Sequence, residues 1–387
     1  MKKLLLIMIA VPVAVGLGWW YFRQRELPSF DPAYHEYAYI TNGKSNTVSV
    51  IDLRTFRLFK TIRAGQGPTG IAANSRKNEI YVVNNGSANV DVIDAEQNRV
   101  VATIGVHGKP YFIDVSWDGK RAYVANSGSA NVSVIDLDQR RVLATIRVGS
   151  SPGLAKDTPD GTTVVVSNRG SDSISLIDAR NLTVRTTIPV CRQPEDIAIL
   201  PDSSKAFIAC TGSAQVASID LKNAKLIALL DVGKTPVNLA LKPDGGELVV
   251  CNFDSDSISI IETTTDEVSG SYLIGTHPSR ALVTNDNSRL YVSNFGSDAV
   301  AVYDIDMGKV VASLPVGSQP DGLALSQSQN YLLVLNSQSG DVTVIQKRKP
   351  RTLEPGEYGL LTMIPAGVQP NNIAVKSFLL SKPVAGP

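Results

Sequence analysis

Only three histidines, His35, His107 and His277, occur in this chain of 387 residues. Histidine is the side chain that most readily moves protons near neutral pH and the commonest metal ligand. Arg280 and Asp321 follow His277, Arg192, Glu195 and Asp196 form a second charged group, and His107 stands apart. Acids, guanidinium groups and an imidazole gathered in one concave site would hold a small polar ligand or run acid–base chemistry. The plainer reading is a solvated rim whose charges neutralise one another. Cys191, Cys210 and Cys251 lack the close spacing of zinc ligands, and there is no Cys-x-x-Cys-His segment for covalent haem. No metal, cofactor or catalytic residue is therefore assigned. Haem is kept as an option, with His107 or His277 as axial ligand and His35 as a weaker candidate.

A repeat is what would bring these residues together. Asn42, Asn84, Asn126, Asn168, Asn252, Asn294 and Asn336 recur with a step of 42, and Cys210 fills the one gap. Pro68, Pro110, Pro152, Pro194, Pro236, Pro278 and Pro320 keep the same step. Self-similarity at roughly 40–45 residues, with several short apolar runs per period, marks a β-propeller. In the third copy, four runs bounded by turn residues define strands A (110–115), B (121–126), C (131–136) and D (142–148). Val- and Ile-rich runs of this kind suit sheets packed on both faces. The expected fold is all-β: an eight-bladed propeller of four-stranded antiparallel blades. Strand B has eight copies, and the first has no strand A before it. The segment from Pro370 to Lys376 is expected to supply it, so that the C-terminal strand closes the ring; seven blades with a vestigial eighth copy is the alternative.

In such a ring the D–A and B–C loops share one face, called top, and the A–B and C–D loops share the other. The two residues after each recurrent proline open the innermost strands and should ring the top mouth of the channel. Glu195, Asp196, Arg280 and Asp321 are among them, and nearby loops add Arg192, His107, His277, Lys44 and Arg169. These give the candidate ligand-binding set Arg192, Glu195, Asp196, His277, Arg280, Asp321 and His107. The asparagines are expected to bond neighbouring backbone and to tolerate left-handed conformations, and the aspartates ending strand C to open type I turns. Cys191 could pair with Cys210, or Cys210 with Cys251; one thiol is free in either case.

The strand-B copies read YITN, YVVN, YVAN, VVSN, FIAC, VVCN, YVSN and LVLN, and strand C reads SVID, DVID, SVID, SLID, ASID, SIIE, AVYD and TVIQ. These resemble the YVTN-type repeats of YncE-like β-propellers, across essentially everything from Tyr37 onward. The resemblance implies the fold and a superfamily that includes lactonases and the haem-binding domains of nitrite reductases. A lactonase-like hydrolase would use histidine, arginine and acid at the mouth, which His277, Arg280 and Glu195 match by type alone. Quinone-dependent alcohol dehydrogenases, also eight-bladed, carry tryptophan-rich motifs, whereas only Trp117 lies outside the first segment here. Single-stranded DNA would need stacking aromatics in a positive groove; Tyr111, Phe112, Phe253 and Phe295 supply rings, but the acids beside them argue against it.

With 37 basic and 36 acidic side chains, the chain also lacks the charge excess of a general nucleic-acid binder. Leu4 to Phe22 are nineteen residues without a charge, with Lys2 and Lys3 before them and Trp19, Trp20 and Tyr21 at the far end. About 20 such residues span a bilayer as a helix. The division is therefore a membrane anchor over 1–23, or a cleaved signal segment, a tether over 24–36 and the propeller over 37–387. Lys347, Arg348, Lys349 and Arg351 lie in an insertion in the last C–D connection, on the bottom face; the plain reading is a solvated charged loop, and the sharper one is contact with anionic headgroups. The whole reads as a non-catalytic, membrane-anchored, extracytoplasmic monomer that binds a protein or a small polar ligand through its outward top face. A lactonase-like or haem-dependent enzyme is the alternative.

Overall fold

The computed structural model describes residues 31–348 and 357–380. The anchor segment, most of the tether, Lys349 and Arg351 lie outside the described residues. Within them the strands form eight sheets of four, each antiparallel throughout. Blade 1 consists of Tyr34–Asn42, Thr47–Asp52 and Arg57–Arg63, with Pro370–Leu379 as its innermost strand. Blades 2 to 8 follow in order, each opening at one of the recurrent prolines. The ring closes as expected: Tyr39 pairs with Ala374 and Ile40 with Ile373. The first strand begins at Tyr34, so it takes in the last residues of the 24–36 segment.

Strands B and C are buried on both faces because every sheet is sandwiched between two others. In blade 3, Ala122 to Ala125 and Val132, Val134 and Ile135 are essentially inaccessible. Each apolar cluster accordingly draws on two neighbouring blades, as when Tyr39, Val50 and Ile62 of blade 1 pack with Ile71, Ile80, Val82 and Ile93 of blade 2. Each fully buried aliphatic or aromatic side chain contributes roughly 1.5–3 kcal/mol, so the ring is held by its inter-blade seams. Tyr39 also crosses a seam with its hydroxyl, which donates to Asn98 Oδ1 at 2.7 Å. Strand D is the outer edge and is largely exposed, as in Arg141–Arg147, where exposed positions alternate with half-buried ones and only Ile146 is buried.

Two turn series complete the blade. Asp94 Oδ1 accepts the backbone N–H groups of Glu96 and Gln97 at 2.9 Å each, the turn-opening role expected of the strand-C aspartates. The recurrent asparagines bond neighbouring backbone as expected, but they do not themselves take the left-handed conformation. They are extended and buried, and the left-handed residue lies four positions later, as at Asn46, Ala88 and Ala130. All but Asn294, whose amide donates to the Ile274 carbonyl, clasp strand C of their own blade from within. Asn126 Nδ2 donates to Asn131 Oδ1 at 2.7 Å and to Ser133 Oγ at 2.9 Å, both on strand C. Asn168 Oδ1 accepts the N–H of Gly149, which precedes strand A of its own blade, at 3.1 Å.

Candidate functional site

The innermost strands line a central channel, and its top mouth holds a cavity of about 420 Å³. Of the residue pairs that follow the recurrent prolines and Pro370, all but Gly70, Gly153 and Ser279 contribute to its wall. The wall is two-sided. Tyr111, Phe112 and Leu154 of blades 3 and 4 form an apolar flank, while Glu195, Asp196, Asn238, Arg280 and Asp321 of blades 5 to 8 form a polar one.

Most of the charge in this mouth is already paired. Arg169, from the B–C loop of blade 4, binds Glu195 at 3.1 Å and lays its guanidinium over the Tyr111 ring at 4.5 Å. Burial pushes the Glu195 carboxyl above its ordinary range even though Arg169 pulls the other way. Lys156 Nζ reaches Asp196 Oδ1 at 3.3 Å. The second Asp196 oxygen accepts from Asn238 Nδ2 at 2.8 Å and from the backbone N–H of Leu239 at 3.0 Å. Burial would raise the Asp196 carboxyl, but Lys156, Arg280 and these N–H donors outweigh it and hold it below the usual carboxylate range. Arg280 approaches Asp321 only to 4.0 Å, with side chains 45% and 37% exposed to the lumen.

Four of the candidate residues therefore meet: Glu195, Asp196, Arg280 and Asp321 line one cavity. Arg192, His107 and His277 do not line it. His277 precedes Pro278 in the left-handed turn position that Lys109, Ser151 and Gln193 occupy in other blades. Its ring stacks on Phe253 at 4.6 Å, with Phe295 close behind. His107 Nε2 lies 3.0 Å from Thr145 Oγ1 on the exposed strand D of blade 3, and Arg192 is exposed on the rim. Lys44 borders a separate groove at the seam between blades 8 and 1, with Gln319, Gln338 and Ser339.

Lys156 also belongs to the site, although it lies deeper than the two positions after each proline that mark the start of an inner strand. It lies four residues after Pro152, where five other blades have Ala72, Ala198, Ala240, Ala324 and Ala374. Asp114 is the other charged residue at that depth. It accepts the Asp157 backbone N–H at 2.9 Å from the next blade. Burial, then the Asp114 charge, pushes the Asp157 carboxyl up to about 7.

Cys191 pairs with Cys210, with Cα atoms 5.7 Å apart, and Cys251 is free and buried. Burial drives the Cys251 thiol up to about 12, so it is not a nucleophile at neutral pH. Among the described residues no cluster of three or more potential metal ligands occurs, and no helix is long and apolar enough to cross a membrane.

Two family descriptions match parts of the chain: a YNCE-like β-propeller over residues 8–156, and a seven-bladed lactonase β-propeller over 263–367. The chain departs from the second in having eight blades. No curated protein matches the sequence. Among solved structures, dihydro-heme d1 dehydrogenase NirN, in complex with DHE, superposes with a TM-score of 0.72 at 15% identity, over 90% of this chain and 77% of that one. Hydrazine synthase from Kuenenia stuttgartiensis gives 0.57 at 22% identity, over 69% and 91%. A functionally unknown protein from Desulfotomaculum acetoxidans DSM 771 gives 0.61 at 18% identity, over 77% and 98%. At these identities the structures share a fold with this chain and nothing finer. Repeats, blades and the two partial family matches agree on a β-propeller, similar over part of its length to the YncE-like family and over another part to the lactonase family.

Proposed function

We propose that this protein is a non-catalytic binding platform, anchored in a membrane by residues 1–23, with its propeller outside the cytoplasm and its top face presented to ligands. The observation that carries the non-catalytic reading is the separation of His277 from Glu195 and Arg280. A lactonase-like mouth would set that imidazole beside the acid and the guanidinium, whereas His277 is stacked on Phe253 at the rim. The acid and base nearest each other are spent on mutual pairing. His107, the other imidazole considered for haem, is turned to Thr145 on an outer strand.

The placement rests on two features. Nineteen uncharged residues from Leu4 to Phe22 suffice to span hydrocarbon. A Cys191–Cys210 disulfide suits an oxidising compartment. The test is the full chain purified from membranes, its visible absorption spectrum recorded and a panel of lactones offered to it. No chromophore and no hydrolysis are expected. A bound chromophore, or lactone turnover abolished by His277→Ala, would replace the platform with an enzyme.

A further inference from the structure

The channel mouth contains three cations, Arg169, Lys156 and Arg280, and three acids, Glu195, Asp196 and Asp321. Two of the three pairs are closed, at 3.1 and 3.3 Å, and Asp196 is saturated by further donors. The third differs. Arg280 and Asp321 stand 4.0 Å apart at their nearest atoms, both open to the lumen. Neither side chain makes a hydrogen bond within the described residues. A guanidinium offers five N–H donors and a carboxylate about four acceptor sites, so this pair presents one unspent positive group beside one unspent negative group.

Opposite them the wall is apolar: Tyr111, Phe112 and Leu154 face the same cavity from blades 3 and 4. Tyr111 is held in place by the Arg169 guanidinium over its ring. The site is thus neutral overall, with separated charges on one flank and a hydrophobic surface on the other. A simple anion would leave Asp321 unpaired, and a simple cation would leave Arg280 unpaired. A ligand that carries both charges on neighbouring atoms and an apolar tail satisfies all three surfaces. The volume of about 420 Å³ is at the small end of small-molecule sites.

We propose that the mouth binds a free α-amino acid with an apolar side chain, its carboxylate on Arg280, its ammonium on Asp321 and its side chain against Tyr111, Phe112 and Leu154. The proposal rests on the top mouth being a ligand-facing, non-catalytic surface, and it names the ligand class. The test is isothermal titration of the purified protein with glycine, leucine and phenylalanine, followed by the N-acetyl and carboxamide derivatives of the tightest binder. Leucine or phenylalanine should bind at least tenfold more tightly than glycine. Each blocked derivative should lose at least tenfold, and so should the parent ligand with Arg280→Gln or Asp321→Asn. No binding at millimolar concentration overturns the proposal. So does a blocked derivative that binds as well as its parent, glycine binding equal to leucine, or binding unchanged in both variants. Those failures, without turnover or chromophore, leave the platform reading standing; turnover of any ligand would sink that reading instead.

Discussion

Cys191 and Cys210 are joined where six other blades press a glycine against an asparagine. A Cβ added to Gly65 would come within 2.7 Å of the Asn84 side chain, and one on Gly317 within 2.6 Å of Asn336. Blade 5 replaces both partners at once, and the covalent link takes the place of the amide clasp. The replacement extends to strand C. The serine that receives the amide in blade 3, Ser133, has Ala217 as its counterpart in blade 5.

Breaking this bridge should therefore cost more than removing one clasp. A separation of 19 residues corresponds to about 3 kcal/mol of stabilisation through the unfolded chain. Cys210→Ala is expected to lower the unfolding free energy by about that amount in denaturant titrations, and dithiothreitol to do the same to the native chain. Cys191→Gly with Cys210→Asn should regain part of the loss. Adding Ala217→Ser should regain about 1 kcal/mol more, one hydrogen bond's net contribution. A triple variant no more stable than the double would refute the clasp.

Asp157 should make the fold less stable as pH rises. Its carboxyl titrates near 7 when folded and near ~4 when unfolded. Between those values the native chain binds the extra proton, so stability falls from about pH 4 to about pH 7 and is level above. The groups acting on it are Asp114, Asp118 and Asp160, with Lys156 beside Asp114. Asp157→Asn should raise the melting temperature at pH 8 and leave it unchanged below pH 4. An equal shift at both pH values would assign the effect to packing instead of ionisation.

Removal of residues 370–387 takes the inner strand from blade 1, uncovering the edge of Tyr34–Asn42 and the faces of the inner strands in the two neighbouring blades. Such a chain has an open strand edge and should aggregate or lose cooperative melting. Circular dichroism and gel filtration read both. A truncated chain that melts sharply as a monomer would show that the ring holds without this strand.

If residues 1–23 anchor the protein and the bottom face lies toward the bilayer, the full chain should resist carbonate extraction, and a chain starting at Asp31 should be soluble. Amine labelling of intact membranes should then modify Lys44, which borders the top groove, and spare Lys349. Equal labelling would remove the orientation, and carbonate release the anchor.

The step of 42 made the fold readable because each blade repeats the same seams. Blade number and closure followed from counting strand-B copies against strand-A copies. The mouth was only half readable. Spacing tells which residues begin an inner strand, so Glu195, Asp196, Arg280 and Asp321 were found. It does not tell how far down the channel a side chain lies or which way a loop turns. His277 has the left-handed turn before Pro278 and goes to the rim, and Lys156 enters from two residues deeper. The disulfide partner was undecided for a similar reason. Cys251 is the last residue but one of strand B of blade 6 and is buried in the seam toward blade 7, beside Val249 and Ile258, away from Cys210.

Pairing Tyr39 with Ala374 joins positions 335 residues apart. Contacts that distant form late, since the intervening chain must be gathered first. A growing polypeptide would display three-quarters of its opening sheet long before the missing quarter exists. A chain that stopped before Pro370 would therefore leave blade 1 with three strands and the ring unclosed.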